Sequence, residues 1–545
     1  AYSLEFKEKM NMKKIGLIAI LSVLVCSIWA IPARKGRVVK VQPDGSQVVV
    51  YQHGDAYFRW MTNDDGEWLE RGEDGYYRVS DTLTEEAIAA KRIARIAPKN
   101  DVATPLNIAP RGLVILVSFQ DVAFLTSHAE MSNMLVGEDY ARNYSYVNND
   151  EEMVHVVSQG SARKYFEQAS FGQYKPEFDV VGPVTVSKDM AYYGKNVANF
   201  DANPWMMVKE ACELVDDSVD FTQYDNNNDG KVDFVYVIYA GYGEADGAEE
   251  NTIWPHSYQL SNAGIYCKVD DKRVDLYACG NELDLVTNHH TGIGPFCHEF
   301  SHVLGLPDLY VTNNSDHKTL DSWSIMDYGP YSNDCNTPPT YSAYERFFMG
   351  WLTPRVISEK EKVELSELQT SNTALLISET DEHNLLGNNP NPTTFYLLEN
   401  RQKIGWDAHL PGHGLMLTKV QYSSKKWTEN TVNNTASKMG VDLIEADGNA
   451  SEIFAKATDL FPAGATEYKG IENHWLENIV EEKCVIYFDY KADETGVENQ
   501  MRVEERIVAI YNILGQKLST TEIDKLPSGT YVVLTSLGVN KVIRK

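Results

Sequence analysis

The chain has 545 residues, of which 78 are acidic and 49 are basic, so its formal net charge at pH 7 is −29. A surface this acidic repels nucleic acids and anionic lipids, and we expect neither as a partner. Hydrophobic residues make up 43% of the chain, which is typical of soluble proteins that bury several cores. No segment after residue 30 is apolar over the thickness of a bilayer, so we also expect no stable membrane span.

The N-terminal residues have the pattern of a secretory signal peptide. Two lysines precede an apolar run at residues 15–25, and small side chains follow near Ala30. We therefore assign residues 1–30 to an upstream extension and a signal peptide, with cleavage after Ala30 or Ala33. The pattern predicts a protein that is secreted or displayed at the cell surface. None of the cysteines forms a CxxC pair, which excludes a zinc ribbon.

Residues 31–105 are predicted to form a propeptide. Short β-like runs at 38–41 and 47–52 are bounded by Pro-Asp-Gly and Asp-Gly turns, which indicates a small β module. A helix-like segment follows from about Thr84 and leads into a polar linker, and it carries basic cleavage points. Proteolysis there would separate the module from the rest of the chain.

Residues 106–355 alternate between predicted strands and helices, which is the pattern of an α+β domain. The strands are predicted at 113–119, 178–186 and 232–240, and the helices at 161–168 and from residue 203. Because the strands are almost wholly apolar, we expect them to form the buried sheet of this domain.

An Asx-rich segment lies between two of these elements. Oxygen-bearing side chains occupy positions 1, 3, 5 and 9, and a glycine position 6, as at the start of a calcium loop: Asp225, Asn227, Asp229, Asp233 and Gly230. Position 12 is a tyrosine rather than an acid, so a further ligand would come from elsewhere in the fold. A calcium site and a plain Asx-rich turn both remain open. A bound ion would stabilise the fold rather than act in catalysis.

The strongest signal is the string His-Glu-x-x-His-x-x-Gly-x-x-Asp, which begins at His298. On a helix, His298 and His302 project from one face and can share a metal ion. Glu299 lies beside them as a general base for an attacking water. Gly305 would end the helix and turn the chain back, which makes Asp308 a candidate third ligand. The alternative is a buried helix whose histidines bond only to core groups.

A methionine follows downstream of this helix. Met326 lies in the string Ser-Ile-Met-Asp-Tyr-Gly, where a turn would form an apolar floor beneath the metal ligands. Tyr328 of the same turn is a candidate donor to the oxyanion of a tetrahedral intermediate. Ser342 and Glu345 then form a capping box for a helix that runs through Phe348.

With these motifs the sequence resembles the immune inhibitor A-like secreted metallopeptidases, within the wider metzincin group. The similar stretches are residues 111–124, 160–194, 224–256, 294–310, 324–329, 341–354 and 395–422. An aspartate in place of the usual third histidine points to this family. The resemblance implies a metzincin-like fold with zinc bound by His298, His302 and Asp308, with Glu299 as the base and Met326 in the Met-turn. It also implies calcium as a structural ion.

A latent zinc peptidase needs a group that blocks its metal, and residues 31–105 contain no cysteine for that role. Asp55, in the string His-Gly-Asp, is a candidate carboxylate ligand that would keep the zinc inactive. The alternative is that Asp55 is a turn residue in a β-hairpin.

Residues 356–490 are predicted to form a β-rich extension of the peptidase. Short apolar runs in this stretch are broken by Asn-Pro, Pro-Gly and Asp-Gly turns. Glu399 and Arg401 are expected to form a structural salt bridge. The tryptophans expected in the core are Trp406, Trp427 and Trp475.

Residues 500–545 alternate like short antiparallel strands and predict a small terminal β-sandwich. Their strings Tyr-Asn-Ile-Leu-Gly-Gln-Lys and Leu-Pro-Ser-Gly-Thr-Tyr resemble the C-terminal sorting domain of the type IX secretion system. This resemblance implies the secretion machinery as a partner. The alternative is an adhesion or packing module.

Together these features predict a secreted zinc-dependent endopeptidase that is made as a zymogen and cleaves extracellular proteins or peptides. In that prediction Glu299 is the general base, and Tyr328 with the zinc stabilises the oxyanion. The competing prediction is a catalytically inactive surface-binding protein on a peptidase scaffold. The presence of every residue that the chemistry needs argues against it.

Overall fold

The computed structural model describes residues 29–56, 59–84, 111–148, 150–197, 200–313, 315, 317–380, 382–492, 507–512, 516–518, 526–535 and 539–544. The predicted signal peptide before Trp29 and the predicted helix after Thr84 lie outside these residues. The chain divides into a larger unit of residues 1–358, 363–467 and 478–488 and a smaller unit of residues 359–362, 468–477 and 489–545. Within the described ranges, no helix is both long and apolar enough to cross a bilayer.

The N-terminal part of the larger unit is a short strand followed by a five-stranded antiparallel sheet. The strands are β1 (Trp29–Ala30), β2 (Arg37–Val41), β3 (Gln47–Gly54), β4 (Arg59–Thr62), β5 (Trp68–Arg71) and β6 (Tyr77–Val79), and the sheet order is β2-β3-β4-β5-β6. The turns predicted from Pro-Asp-Gly and Asp-Gly separate neighbouring strands, as expected of a meander. The predicted β module is therefore present at residues 37–79.

Strands and helices alternate through the next part of the chain. They are β7 (Arg111–Ser118), α1 (His128–Val136), β8 (Ala141–Val147), β9 (Met153–Gln159), α2 (Ala162–Ala169), β10 (Glu177–Thr185), α3 (Met190–Gly194), β11 (Asn196–Val197), β12 (Phe200–Asp201), α4 (Pro204–Val215), β13 (Lys231–Val232), β14 (Val235–Tyr242), β15 (His256–Gln259), β16 (Cys267–Val269), β17 (Lys272–Val274), β18 (Leu276–Leu283), α5 (Ile293–Val303) and α6 (Ala343–Phe348). This mixed α and β content agrees with the sequence-based prediction.

A six-stranded sheet in the order β1-β15-β18-β14-β7-β10 forms the centre of this part. Strands β18, β14, β7 and β10 are parallel, whereas β15 and β1 run antiparallel at one edge. Side chains alternate across the buried strand β7, so Val114 and Leu116 pack with α5, whereas Leu113, Ile115 and Val117 pack with α4. The sheet therefore separates two cores and leaves β15 and β1 at the edge nearest to the histidine helix.

A β-rich region follows, as predicted. Its elements are β19 (Arg355–Val356), β20 (Glu361–Leu365), α7 (Leu368–Ser371), β21 (Leu375–Ile377), β22 (Thr394–Arg401), β23 (Gly414–Gln421), α8 (Ser424–Thr428), β24 (Val441–Leu443), β25 (Tyr468–Ile471), β26 (His474–Glu482) and β27 (Val485–Ala492). The larger unit contains the sheet β19-β21-β22-β23-β24. Arg401 forms the predicted ion pair with Glu399 at 3.2 Å, and a second one with Asp407 at 2.7 Å. Both ion pairs are buried.

Two of the three tryptophans predicted in the core are buried there. Trp406 is 4% exposed and Trp427 is 3% exposed. The prediction was wrong for Trp475, which is only half-buried in the smaller unit. It lies in β26, where side chains alternate between the two faces of the strand, so a neighbouring position is buried instead.

The end of the smaller unit is an antiparallel sheet of three strands, β28 (Ile507–Asn512), β29 (Gly529–Thr535) and β30 (Val539–Arg544), with β29 in the middle. Ile510, Leu526, Tyr531 and Val533 are buried together against it. The strands lie where the alternation of the sequence predicts them. The predicted sandwich, which requires a second layer, stays a prediction.

Candidate active site

Helix α5 carries the histidine motif and is buried along its whole length. Phe296 and Phe300 anchor it on the sheet, where each packs edge-on to Phe178 at 5.0 and 5.2 Å between ring centroids. Gly294 is required by a close approach, because a Cβ there would lie 1.9 Å from the carbonyl oxygen of Pro330. After the helix, Gly305 has φ +98°, a left-handed conformation that lets the chain reverse.

The reversal at Gly305 brings three side chains together. His298 Nε2 lies 3.2 Å from His302 Nε2, and Asp308 Oδ1 lies 3.3 Å from the former and 3.2 Å from the latter. All three residues are at most 2% exposed. They form the one cluster of metal-ligating side chains found among the described residues.

The hydrogen bonds of the imidazoles fix which ring nitrogen faces the centre of this cluster. His298 Nδ1 lies 2.7 Å from the carbonyl oxygen of Ile325, and His302 Nδ1 lies 2.8 Å from that of Leu306. Because a carbonyl only accepts, each Nδ1 carries the proton and each neutral Nε2 presents a lone pair. Three acceptor atoms thus face one another without a proton between them, an arrangement that a cation relieves.

The distances within the cluster fit a metal ion. Tetrahedral zinc with bonds of about 2.0–2.1 Å separates its ligand atoms by roughly 3.3–3.4 Å, close to the observed 3.2–3.3 Å. Two imidazoles and one carboxylate are also a donor set that zinc accepts, with a fourth position left for water or substrate. The residues present therefore fit a catalytic metal.

Asp308 is held by a residue that the sequence motif does not contain. Asn430 Nδ2 donates to Asp308 Oδ2 at 2.5 Å, and the backbone N–H of Asp308 donates to Asn430 Oδ1 at 2.8 Å. This two-point contact turns Oδ1 of Asp308 towards the histidines. Asn430 is 122 positions away in the chain, so no local pattern identifies it.

The predicted methionine turn is hydrogen-bonded to both segments that carry the cluster. Met326 is fully buried, and its carbonyl oxygen accepts a hydrogen bond from Leu309 N–H at 2.7 Å. Its N–H donates to Ser324 Oγ, which in turn donates to Glu345 Oε1 at 2.6 Å. The turn thereby positions both His298, through Ile325, and the segment that carries Asp308. Glu345 also closes the predicted capping box of α6.

Glu299 is fully buried and faces the N-terminal segment of the chain. Its Oε1 accepts the N–H of Ile31 at 2.8 Å, whereas its Oε2 has no hydrogen-bond partner among the described residues. Burial raises the pKa of Glu299, and the charge of Asp308 raises it further. The sequence predicted neither this contact nor the position of Ile31, because the two residues are 268 positions apart.

The segment around Ile31 is anchored by an arginine. Arg34 Nη1 lies 2.6 Å from Asp284 Oδ2, and Nη2 lies 2.6 Å from Asp334 Oδ1. The side chain of Arg34 is 12% exposed, so both ion pairs are largely shielded from water. The predicted ligand Asp55 is also fully buried, directly after β3. Its assignment as a metal ligand stays a prediction.

The tyrosine predicted as oxyanion donor lies beside a second tyrosine. The rings of Tyr328 and Tyr310 are 6.5 Å apart, and Lys35 Nζ lies 3.7 Å from the centre of the Tyr328 ring. The hydroxyl of Tyr310 donates to the carbonyl oxygen of Ala30. The role of Tyr328 stays a prediction, and Tyr310 is a residue that the sequence analysis missed.

The predicted calcium loop is a tight turn closed by its own hydrogen bonds. Asp225 accepts the backbone N–H groups of Asp229 and Gly230 at 3.0 Å each. The ammonium of Lys272 lies 2.6 Å from Asp225 Oδ2. Asp233 accepts from Asn226 at 2.8 Å. These contacts are those of an Asx-rich turn, and the calcium assignment stays a prediction.

The comparisons with known proteins agree with this geometry. Residues 107–352 match the family model described as "Immune inhibitor A peptidase M6, catalytic domain". Over these 246 residues, which are 45% of the chain, the sequence is similar to a peptidase M6 catalytic domain. This similarity indicates a metallopeptidase with a catalytic metal. His298, His302 and Asp308 are the described residues that could hold it.

Two relatives of the peptidase M6 domain are themselves named as immune inhibitor or metalloprotease. "Immune inhibitor A" of Bacillus thuringiensis subsp. alesti is 27% identical over 271 residues, which are 43% of this chain and 39% of that protein. "Pre-pro-metalloprotease PrtV" of Vibrio cholerae serotype O1 is 26% identical over 252 residues, which are 41% of this chain and 27% of that protein. The chain therefore spans less than half of the length of either relative.

Proposed function

We propose that the protein is a secreted zinc-dependent endopeptidase whose N-terminal segment blocks the active site until it is removed. The observation that carries the proposal is the cluster of three lone-pair donors beside Glu299, a carboxylate that already accepts a peptide N–H. Zinc is supported by the two imidazoles, the carboxylate and their spacing. Export is supported by the signal-like pattern before Trp29. Because Trp29 and Ala30 pair with β15, we propose that the signal is cut before Trp29 rather than after Ala30 or Ala33.

The residues of the cleft have distinct tasks in peptide hydrolysis. When bound, zinc supplies Lewis-acid activation of the peptide carbonyl and of a water molecule. Glu299 takes the proton from the attacking water and returns it to the nitrogen of the cleaved bond. Its Oε2 is available for the first transfer, and the N–H of Ile31, at 2.8 Å from Oε1, marks the place of that nitrogen.

Latency follows from the position of residues 29–79. β1 lies on the sheet edge that borders the cleft, and the following sheet is joined to the catalytic domain by buried polar contacts. Arg59, for example, lies 2.9 Å from Asp201 and 2.7 Å from Glu244. A substrate cannot enter while this segment is in place. The printed name of the Vibrio cholerae relative, a pre-pro form, is consistent with such a precursor.

Two further parts of the proposal concern the periphery of the protein. We propose a structural calcium ion at Asp225, Asn227, Asp229 and Asp233, which requires the Lys272 ammonium to leave Asp225. A calcium-dependent rise in melting temperature that Asp229→Ala abolishes would support it.

We also propose that residues 500–545 are a type IX sorting domain. Deleting them should leave the protein in the periplasm, and normal release of the truncated form would reject this role.

The central test is metal-dependent cleavage of casein by the full-length protein before and after limited trypsin treatment. We expect activity only after trypsin, loss of that activity with a chelator, and about one zinc per chain by metal analysis. Glu299→Ala should keep the zinc and lose the activity, whereas Glu213→Gln, on the opposite face of the sheet, should behave as wild type. Bound zinc with no cleavage of casein or mixed peptides after trypsin would instead support the inactive binding protein.

A further inference from the structure

Residues 29–34 run through the active-site cleft as an added strand. Trp29 and Ala30 pair antiparallel with Ser257 and His256 of the edge strand β15. Addition of an extended peptide to an exposed sheet edge is a general mode of peptide recognition, because the main chain supplies the hydrogen bonds whatever the side chains are. The side chains of Ala30 and Ile31 are each 1% exposed, so the segment is enclosed rather than lying on the surface.

The carbonyl groups of this segment are bound by aromatic side chains of the catalytic domain. Three consecutive carbonyl oxygens each accept a hydrogen bond from a different ring donor. The pairs are Tyr310 OH with Ala30, Trp254 Nε1 with Ile31 at 2.9 Å, and Tyr331 OH with Pro32 at 2.6 Å. Such contacts read the backbone and tolerate many sequences, as an endopeptidase requires.

The peptide bond between Ala30 and Ile31 has both of its polar atoms held by the site. Its N–H donates to Glu299, and its carbonyl oxygen accepts from Tyr310. During hydrolysis the nitrogen of the cleaved bond must receive a proton, and the carbonyl oxygen develops negative charge. A general base and a hydroxyl donor therefore contact the two atoms at which the charge changes.

We propose that residues 29–34 occupy the path of a substrate and that Tyr310 is the catalytic residue that stabilises the oxyanion. This inference rests on the proposed peptidase function. Water adds to the carbonyl carbon at the position of Ala30, the bond to the next nitrogen breaks, and Glu299 transfers the water proton to that nitrogen. Trp254 and Tyr331 are positioning residues for the part of the substrate that follows the cleaved bond.

The first test uses a peptide with the sequence of residues 27–36 and the full-length protein nicked by trypsin, with the trypsin then inhibited. We expect a single cut, at the bond that corresponds to Ala30–Ile31, identified by mass spectrometry. The control peptide has the same residues in reverse order and should be cut slowly or at other bonds. A cut of the copied peptide at any other bond would overturn the proposal even if casein is cleaved.

The second test separates catalysis from positioning with two conservative variants. Removing an oxyanion donor typically lowers kcat by about 100- to 1,000-fold, so Tyr310→Phe should do so with little change in KM. Tyr331→Phe removes a hydrogen bond made equally in the ground state, so we expect KM to rise about fivefold at unchanged kcat. Equal kcat values for Tyr310→Phe and wild type would overturn the role of Tyr310.

A binding measurement completes the test without any activity. A fluorescent copy of the same peptide is titrated into the metal-free nicked protein, and its polarisation gives Kd. Tyr331→Phe should weaken binding about fivefold, and Tyr310→Phe by no more than that. Loss of binding and of kcat together in Tyr310→Phe would show a structural role instead. If wild type also fails to cleave casein, it is the proposed function that fails, not this assignment alone.

Discussion

Asn430 is the residue that orients Asp308, the third metal ligand in the proposed function. Its side-chain amide bonds Asp308 at both the carboxylate and the backbone N–H, at 2.5 and 2.8 Å. A ligand fixed in this way loses little freedom when the metal binds, and such supporting contacts typically change metal affinity by about 10- to 100-fold. Asn430 lies after α8 in the β-rich region, so this region contributes directly to the site.

We therefore expect Asn430→Ala to weaken zinc binding by about 10- to 100-fold. The measurement is competition for zinc with a chromophoric chelator. The matched control is Asn434→Ala, because Asn434 joins the same two chain segments through Thr312 but does not contact Asp308. If wild type, Asn430→Ala and Asn434→Ala all bind zinc with the same affinity, Asp308 does not need the support of Asn430.

The residues of the site differ in how far the sequence reveals them. His298, Glu299 and His302 lie within one turn of one helix, so their spacing alone predicts the shared face. Asp308 follows a glycine that can reverse the chain. Because it is close in sequence to the two histidines, its position near them could be predicted. Ile31 and Asn430 come from distant segments, and no local pattern encodes which distant segments meet.

At the scale of elements, β1 and the residues after it form the block on the active site in the proposed function. Arg34 holds this block through two ion pairs of 2.6 Å, with Asp284 and Asp334. Breaking one partner of a buried pair destabilises the contact by several kcal/mol, because the other charges stay buried. The free energy of opening, rather than that of global unfolding, is the quantity that changes.

We expect Arg34→Gln to raise the peptidase activity of the uncleaved full-length protein at least tenfold. The assay is the initial rate on a fluorogenic peptide before any trypsin treatment, and the same preparation is checked for an intact chain by mass. Arg37→Gln is the control. The side chain of Arg37 is 41% exposed, and its ion pair with Asp150 is long, at 3.9 Å. Unchanged latency in Arg34→Gln would mean that other contacts hold the segment.

Strand β24 carries a carboxyl group whose ionisation opposes folding. Burial, followed by the charge of Glu445, raises the pKa of Asp442 to about 7. In the unfolded chain the pKa is about 3.9. Between these values the folded protein binds more protons than the unfolded chain, so stability falls as the pH rises from about 4 to about 7.

Asp442→Asn should remove this pH dependence. We expect the free energy of unfolding of the variant, minus that of wild type, to increase by about 1–3 kcal/mol between pH 4 and pH 8. The variant thus gains stability relative to wild type as the pH rises. Urea unfolding followed by tryptophan fluorescence at several pH values measures the difference. Asp447→Asn, at an exposed site in the same region, should show no such increase. A constant difference at all pH values would contradict a raised pKa of Asp442.

Secondary-structure elements were predicted best where the hydrophobic periodicity agrees with the residues that start or end an element. The apolar run of β7 and the capping box of α6 lie where the sequence places them. The Asx-rich segment was left open because its pattern suits a calcium loop and a turn equally, and Lys272, the ion-pair partner of Asp225, comes from another strand. No local pattern predicted the short strand β1, because it is defined by its pairing with the edge strand β15.

At the scale of the whole molecule, the metal cluster joins parts of the larger unit that are far apart in sequence. Helix α5 carries His298 and His302, the reversed segment carries Asp308, and Asn430 ties that segment to the β-rich region. The methionine turn forms hydrogen bonds with both segments that carry the cluster. A cation at the centre would therefore stabilise the larger unit as well as the chemistry.

Removing the metal should lower the thermal stability of the larger unit. A ligand at 1,000 times its Kd stabilises the folded state by about 4 kcal/mol, and a chelated sample loses this contribution. We expect a chelated sample to melt several degrees lower and to recover with zinc but not with magnesium, which prefers octahedral oxygen ligands. Asp308→Asn, with one charge fewer in the cluster, should show a smaller zinc-dependent shift. Identical melting curves with and without zinc would mean that the cluster is held by the fold alone.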